Sequence, residues 1–126
     1  MTEKKQTKSG TATSIKESLK KATTEMLVLY LLCSKPMYTY EMMSEIELRS
    51  NGSVTFNTLY QSIYRLRNFN YIQEHEKQLS DDNRLRIYFA VTDSGRAYLA
   101  ELIAEYQNFT GAVDHILGLP ERGAGQ

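Results

Sequence analysis

Between Val54 and Gln73 the chain carries amides, hydroxyls and arginines but no carboxylate: Thr55, Asn57, Thr58, Tyr60, Gln61, Tyr64, Arg65 and Asn68 all fall in this stretch. Asn, Gln and Arg are the side chains able to make paired hydrogen bonds to adenine or guanine edges, and hydroxyls and cations suit phosphate oxygens. A surface without acids approaches phosphates without repulsion. The chemistry such a set performs is recognition, not bond-making. With about 100° per residue, Leu59, Ile63 and Leu66 fall within about 60° of one another and define a buried stripe. Asn57, Gln61, Tyr64 and Asn68 lie opposite, flanked by Thr58 and Arg65. The spacing predicts a helix starting near Thr55. A solvated helix face with ordinary polar residues is the alternative that these positions alone leave open.

Groups for catalysis are scarce. His75 and His115 are far apart in sequence, and no Gly-rich phosphate loop or His/Cys pair with metal-ligand spacing occurs. Cys33 ends a strongly apolar run and reads as a small buried hydrophobe. His75 reads as a solvated residue, and the Glu74/Glu76 and Asp81/Asp82 pairs as solubilising charge. The expectation is a protein that is not an enzyme, with no cofactor and no metal.

The elements that position the polar face follow from local signals. Ser14-Ile15-Lys16-Glu17 has the form of a capping box, which predicts a first helix from Ser14 to about Leu32. Lys35-Pro36 stops it, because the residue before proline is pushed out of helical geometry. Thr39 is placed to cap a second helix, Tyr40 to about Arg49, and Asn51-Gly52-Ser53 is a turn. After Tyr71-Ile72 comes a weakly patterned strand over 73–79 and the turn Ser80-Asp81-Asp82-Asn83. In the return strand Leu85, Ile87, Phe89 and Val91 alternate with Arg84, Arg86, Tyr88 and Ala90, so one face is core and the other cationic. This is the order of a winged helix: mainly α, with a small antiparallel β-hairpin. Arg84 and Arg86 are candidates to grip a phosphate backbone, although Asp81 and Asp82 at the hairpin tip oppose that contact.

Thr92 is placed to cap a last helix. Along it Leu99, Leu102, Tyr106, Phe109, Val113 and Ile116 recur at spacings of 3 and 4, an a/d seam. A helix over 94–117 extends about 35 Å at 1.5 Å per residue, more than so small a domain can cover with its own residues. The seam predicts a homodimer through this C-terminal helix, with help from the first helix; a seam that packs back on its own domain is the alternative.

A chain of 126 residues with 41% hydrophobic content makes one domain with a small core. The apolar run from Met26 to Cys33 is far shorter than the about 20 residues of a membrane span, so a cytoplasmic protein without membrane contact is expected, and the lone cysteine suits a reducing compartment. Net charge is zero but unevenly spread. Residues 1–21 carry six Lys against Glu3 and Glu17, whereas residues 93–126 carry Arg96 and Arg122 against five acids. The expected organisation is a disordered basic arm over 1–13 with Lys4, Lys5 and Lys8, a winged-helix domain over 14–92, the dimerisation helix over 93–117, and a disordered tail over 118–126. Neutral charge and an acidic wing tip would also suit a winged-helix protein-interaction module that never meets DNA.

These residues resemble the PadR-like transcriptional regulators over about 23–117. Lys35-Pro36-Met37-Tyr38-Thr39-Tyr40-Glu41-Met42 is similar to the family's proline followed by Gly-Tyr-Glu-Leu, with Thr39 where glycine is usual. Thr58-Leu59-Tyr60, Ile63, Arg65-Leu66 and Tyr71-Ile72 follow its Thr-Leu-Tyr, Leu, Arg-Leu, Gly-Leu-Ile pattern, with Asn70 replacing glycine, a residue that tolerates left-handed angles. Tyr88-Phe89-Ala90-Val91-Thr92-Asp93-Ser94-Gly95 is similar to its wing exit and Leu-Thr-x-x-Gly helix entry. The resemblance implies a winged-helix repressor of the short form, dimerising through one C-terminal helix and binding double-stranded DNA at an inverted-repeat, palindromic operator. It also implies the chance of a small aromatic or lipophilic effector. On this view Asn57, Gln61, Tyr64 and Arg65 face base edges or the adjacent backbone, and Tyr40, Thr55, Thr58 and Tyr60 face phosphates.

Overall fold

The computed structural model describes residues 10–121, so residues 1–9 of the expected basic arm, with Lys4, Lys5 and Lys8, and the tail from residue 122 lie outside the described residues, while Ala12 and Thr13 of that arm are the first residues of a helix. The order is α1 (Ala12–Leu32), β1 (Met37–Tyr38), α2 (Thr39–Arg49), α3 (Tyr60–Asn68), β2 (Ile72–Leu79), β3 (Leu85–Val91) and α4 (Asp93–Leu117). It is the expected winged-helix arrangement, with one strand more than the sequence suggested. The antiparallel sheet runs β1-β3-β2, because Met37 and Tyr38 pair with Phe89 and Tyr88.

That short strand explains one shifted boundary. Tyr38 is held extended against β3, so it occupies the cap position of α2 and Thr39 becomes the first helical residue. At α1 the helix starts two residues before Ser14, whose amide donates to the Thr11 carbonyl at 3.1 Å. Glu17 pairs forward with Lys20 at 3.8 Å, so the expected capping box is one turn inside the helix. The largest correction concerns α3, which begins at Tyr60 and not near Thr55. The Ser50 hydroxyl accepts from the Val54 amide at 2.9 Å, and Val54 and Phe56 pack against the core, which keeps the approach to α3 irregular. Thr58 accepts from the Tyr60 amide at 3.1 Å and helps start the helix there.

The core has α1 at its centre. Val28, Leu29, Leu31 and Leu32 meet Met37, Met42, Ile46, Phe89 and the expected stripe of Leu59, Ile63 and Leu66, all buried. Cys33 is half-buried at the edge of this cluster, less enclosed than its apolar neighbours implied. Along β3 burial fades toward the wing: Phe89 is buried, Ile87 partly so, and Leu85 exposed, so the core face expected along the whole strand covers only its root.

Leu99 is 7% exposed and belongs to this core, which removes it from the expected dimer seam. Leu102 is partly buried against the same cluster. Farther along α4 the pattern changes: Val113 is half-buried, while Tyr106 is 40%, Phe109 70% and Ile116 80% exposed. The seam therefore turns inward in its first heptad and outward after it. Gly118, at φ 72°, closes the helix in the left-handed region, where its missing side chain is an advantage.

The β3–α4 corner is built on hydrogen bonds to the α3–β2 turn. The Thr92 amide donates to the Tyr71 carbonyl at 3.0 Å and its hydroxyl to the Asn70 carbonyl at 2.7 Å, while that hydroxyl accepts from the Gly95 amide at 3.0 Å as the expected cap. Asn70 itself sits at φ 63°, the left-handed geometry its type tolerates. A Cβ on Gly95 would lie 2.1 Å from the Tyr71 carbonyl oxygen and 2.8 Å from Val91 Cγ2. Gly95→Ala is expected to lower stability by about 1–3 kcal/mol or more, read as an earlier urea midpoint. An unchanged midpoint would contradict so close a seat.

Candidate nucleic-acid interface

The buried stripe of α3 leaves its other side open. Tyr60 is 72% and Tyr64 58% exposed, and Gln61, Arg65, Arg67 and Asn68 are exposed beside them. Between α3, the start of α2 and β3 runs a groove of about 480 Å³, lined by Tyr38, Thr39, Tyr40, Thr58, Tyr60, Tyr64, Arg67 and Arg86, with Ile63, Leu85, Ile87 and Phe89 as its apolar floor and wing wall. Five of the expected residues, Tyr40, Thr58, Tyr60, Tyr64 and Arg86, thus meet in one place. Gln61 and Arg65 share a second open surface with Tyr60 and Tyr64. Thr55 and Asn57 are exposed in the irregular approach, outside the helix on which the sequence placed them.

Arg86 lies over the Tyr38 ring at 4.6 Å, and Tyr38 meets Tyr88 edge-on at 5.2 Å, so an aromatic pair orients the guanidinium at the wing root. Arg84 leaves the strand and pairs with Asp82 at 3.5 Å. It is absent from the groove lining, which of the two expected wing arginines includes Arg86. At the tip the Ser80 hydroxyl bonds to Asp82 and holds its carboxyl below the usual carboxylate value, so the tip keeps its negative charge.

Sequence reasoning missed Tyr38, Thr39 and Arg67. Tyr38 was hidden because a two-residue strand has no periodicity. Arg67 had a usable signal: it stands three residues after Tyr64 and seven after Tyr60, on the same helical stripe. Its guanidinium pairs with Glu74 at 3.2 Å and lies 5.8 Å from the Phe89 ring.

Arg65, expected to face base edges or the adjacent backbone, is engaged by its own chain. Its Nε donates to Glu25 Oε2 at 2.7 Å, an acid supplied by α1 from forty residues away. The other oxygen of Glu25 accepts from the Tyr98 hydroxyl at 3.5 Å, and the Tyr98 ring stacks on Tyr71 at 4.2 Å. Burial first, and then the Glu25 charge, hold the Tyr98 phenol above its ordinary value.

A three-stranded sheet with a wing, a short helix presenting tyrosines, an amide and arginines, and a long helix running from the domain together define a winged-helix DNA-binding protein. Comparison with known proteins agrees. The Transcriptional regulator PadR-like family model matches residues 28–101. The chain is 33% identical over 92 residues to "Uncharacterized protein X" of Lysinibacillus sphaericus, covering 71% of this chain and 84% of that protein. It is similar in structure to a transcriptional regulator from Clostridium thermocellum, with TM-score 0.68, 20% identity, and 78% of this chain and 96% of that chain covered. A PadR-like transcription factor from Bacteroides fragilis aligns with TM-score 0.62 at 26% identity, covering 82% of this chain and 98% of that chain. The chain belongs to the PadR-like family of transcriptional regulators, a family of DNA-binding regulators and not of enzymes. Among the described residues no helix is long and apolar enough to cross a membrane.

The raised phenol has a pH consequence. A folded pKa above the unfolded one gives stability that is present below about pH 10 and lost as pH rises through the folded value. In urea melts at about pH 9 and about pH 11, the difference between wild type and Tyr98→Phe should move in the variant's favour at the higher pH. A pH-independent difference would show that the phenol ionises as it does in the unfolded chain.

Proposed function

We propose that the protein is a repressor that binds an inverted-repeat operator as a homodimer, with α3 in the major groove of each half-site and the groove between α3 and β3 seated on the phosphate backbone. The observation that carries this reading is the convergence of Tyr40, Thr58, Tyr60, Tyr64, Arg67 and Arg86 on one face to which α3 contributes no carboxylate. Gln61 and Tyr64 are then the base-reading side chains, with Asn57 reaching from the approach loop. Tyr40, Thr58, Tyr60, Arg67 and Arg86 take backbone contacts, and Thr55 stands beside them.

The two-fold pair is supported by the outward half of α4. Tyr106, Phe109 and Ile116 are apolar, exposed and spaced as a seam, and α1 adds exposed Ile15 and Leu19. A second copy covering them would set two α3 helices on successive major grooves about 34 Å apart, which is why the operator should be palindromic. An aromatic or lipophilic effector, as the family resemblance implies, would act by altering that separation. The wing-tip acids Asp81 and Asp82 would stay off the DNA.

Fluorescence anisotropy against the protein's own upstream DNA at several salt concentrations tests the reading. Specific binding with a steep salt dependence is expected. Gln61→Ala should cost about 1–3 kcal/mol and relax preference at one position of each half-site. Arg67→Ala or Arg86→Ala should weaken all sequences alike and reduce the salt slope by about 0.9. A wild-type chain that binds DNA without sequence preference or salt dependence would favour the protein-interaction reading.

The two halves of α4 separate cleanly by mutation. Leu99→Ala should cost about 2–5 kcal/mol of stability, because it leaves a core cavity. Phe109→Glu should leave a folded chain that elutes and scatters as a monomer and loses operator affinity. Retention of a dimer by Phe109→Glu would remove the outward seam from the assembly.

A further inference from the structure

We infer that Glu25 is a positioning residue for DNA reading, a single carboxylate that sets the angle of α3 against the base of α4. The inference rests on the regulator reading above. One oxygen of Glu25 takes the Arg65 guanidinium at 2.7 Å and the other the Tyr98 hydroxyl at 3.5 Å, so α1, α3 and α4 meet at one side chain. The Glu25 side chain is only 22% exposed, which shields the pair from solvent more than its 48% exposed arginine partner suggests. Tyr98 is itself fixed, because its ring lies nearly parallel to Tyr71 at 4.2 Å and the Tyr71 carbonyl receives the Thr92 amide at 3.0 Å.

The need for such a strut follows from the size of α3. It has nine residues, and its hold on the core is the narrow stripe of Leu59, Ile63 and Leu66 together with Ser62. A narrow apolar contact resists separation but resists rotation about the helix axis poorly. A turn of about 10° moves the rim of a helix about 10–12 Å across by about 1 Å. Hydrogen bonds to base edges tolerate a few tenths of an ångström. Arg65 adjoins Tyr64 on the open side, and clamping it from α1 opposes that rotation. Arg65 then acts as a strut and not as a reader, although its residue type is that of a reader.

A double-mutant cycle tests this with Glu25→Gln, Arg65→Gln and the pair combined, measuring affinity for operator and for unrelated DNA at several salt concentrations. Each single variant should lose about tenfold on the operator and little on unrelated DNA, with the salt slope unchanged, and the double should be no worse than the weaker single. Tyr98→Phe, which removes one hydroxyl and keeps the ring, should lose operator preference in the same direction by a smaller factor, and this holds the proposal to account if Glu25→Gln folds poorly. Additive losses, with Arg65→Gln lowering the salt slope by about 0.9, would show Arg65 on a phosphate and overturn the inference. Glu25→Gln or Tyr98→Phe with unaltered operator preference would overturn it equally. In all of these outcomes wild-type operator binding stands, whereas a wild type without sequence-specific binding removes the regulator reading and this inference together.

Discussion

The β3–α4 corner exists because residue 95 has no side chain. The Tyr71 carbonyl oxygen occupies the space a Cβ would need, and that oxygen also receives the Thr92 amide. Thr92 and Ser94 add hydroxyl contacts to the Asn70 carbonyl, so the chain entering the long helix is bonded to the backbone that leaves the short one. Backbone groups in such a junction are hard to replace, because each buried donor or acceptor left alone costs more than the bond itself contributes. The groove, the wing and the direction of α4 are all referred to this one corner.

On that frame the open face is assembled by aromatic rings as much as by charge. Arg86 is oriented by Tyr38, and Arg67 by Phe89 and Glu74. An ion pair as exposed as Arg67–Glu74 contributes little to stability and is easily exchanged for a phosphate, the exchange that the proposed DNA contact would use. Lys35 and Glu41, paired at 3.0 Å, form a similar exposed contact close by in sequence, and the Glu41 hydrogen bond and charge raise the Lys35 pKa and keep the ammonium charged. Net neutrality of the whole chain is therefore no obstacle to a cationic rim on one side.

Much of this was legible in residue order. The Leu59, Ile63, Leu66 stripe, the Thr92 cap and the hairpin turn all follow from local chemistry, and local chemistry is what a single sequence carries; the left-handed Asn70 followed from the family resemblance. What failed was non-local. The pairing of Tyr38 with Tyr88 and of Glu25 with Arg65 joins residues far apart, and neither member of a pair announces the other. The start of α3 lies later than expected where Val54 and Phe56 pack on the core from an irregular segment, an arrangement that periodicity does not register. Leu99 misled for a related reason: a heptad spacing says that a stripe is covered, and gives no sign of whether the cover is the same chain or another copy.

That division of α4 bears on how an assembly could respond to a signal. In the proposed dimer, covering a Phe or Ile side chain is worth about 1.5–3 kcal/mol. Tyr106, Phe109 and Ile116, 40%, 70% and 80% exposed, from two copies then supply roughly 6–11 kcal/mol if wholly covered, against an association cost of about 4–15 kcal/mol. The helix needs no such cover in order to fold, since Leu99 and Leu102 already anchor it to its own core. Any displacement at the tail reaches the domain where α4 begins, at Gly95 and Tyr98, which lie against Tyr71 and, through Glu25, against Arg65 on the reading helix. In the proposed complex a contact made at the far end of the long helix is in this way one helix and one carboxylate away from the bases.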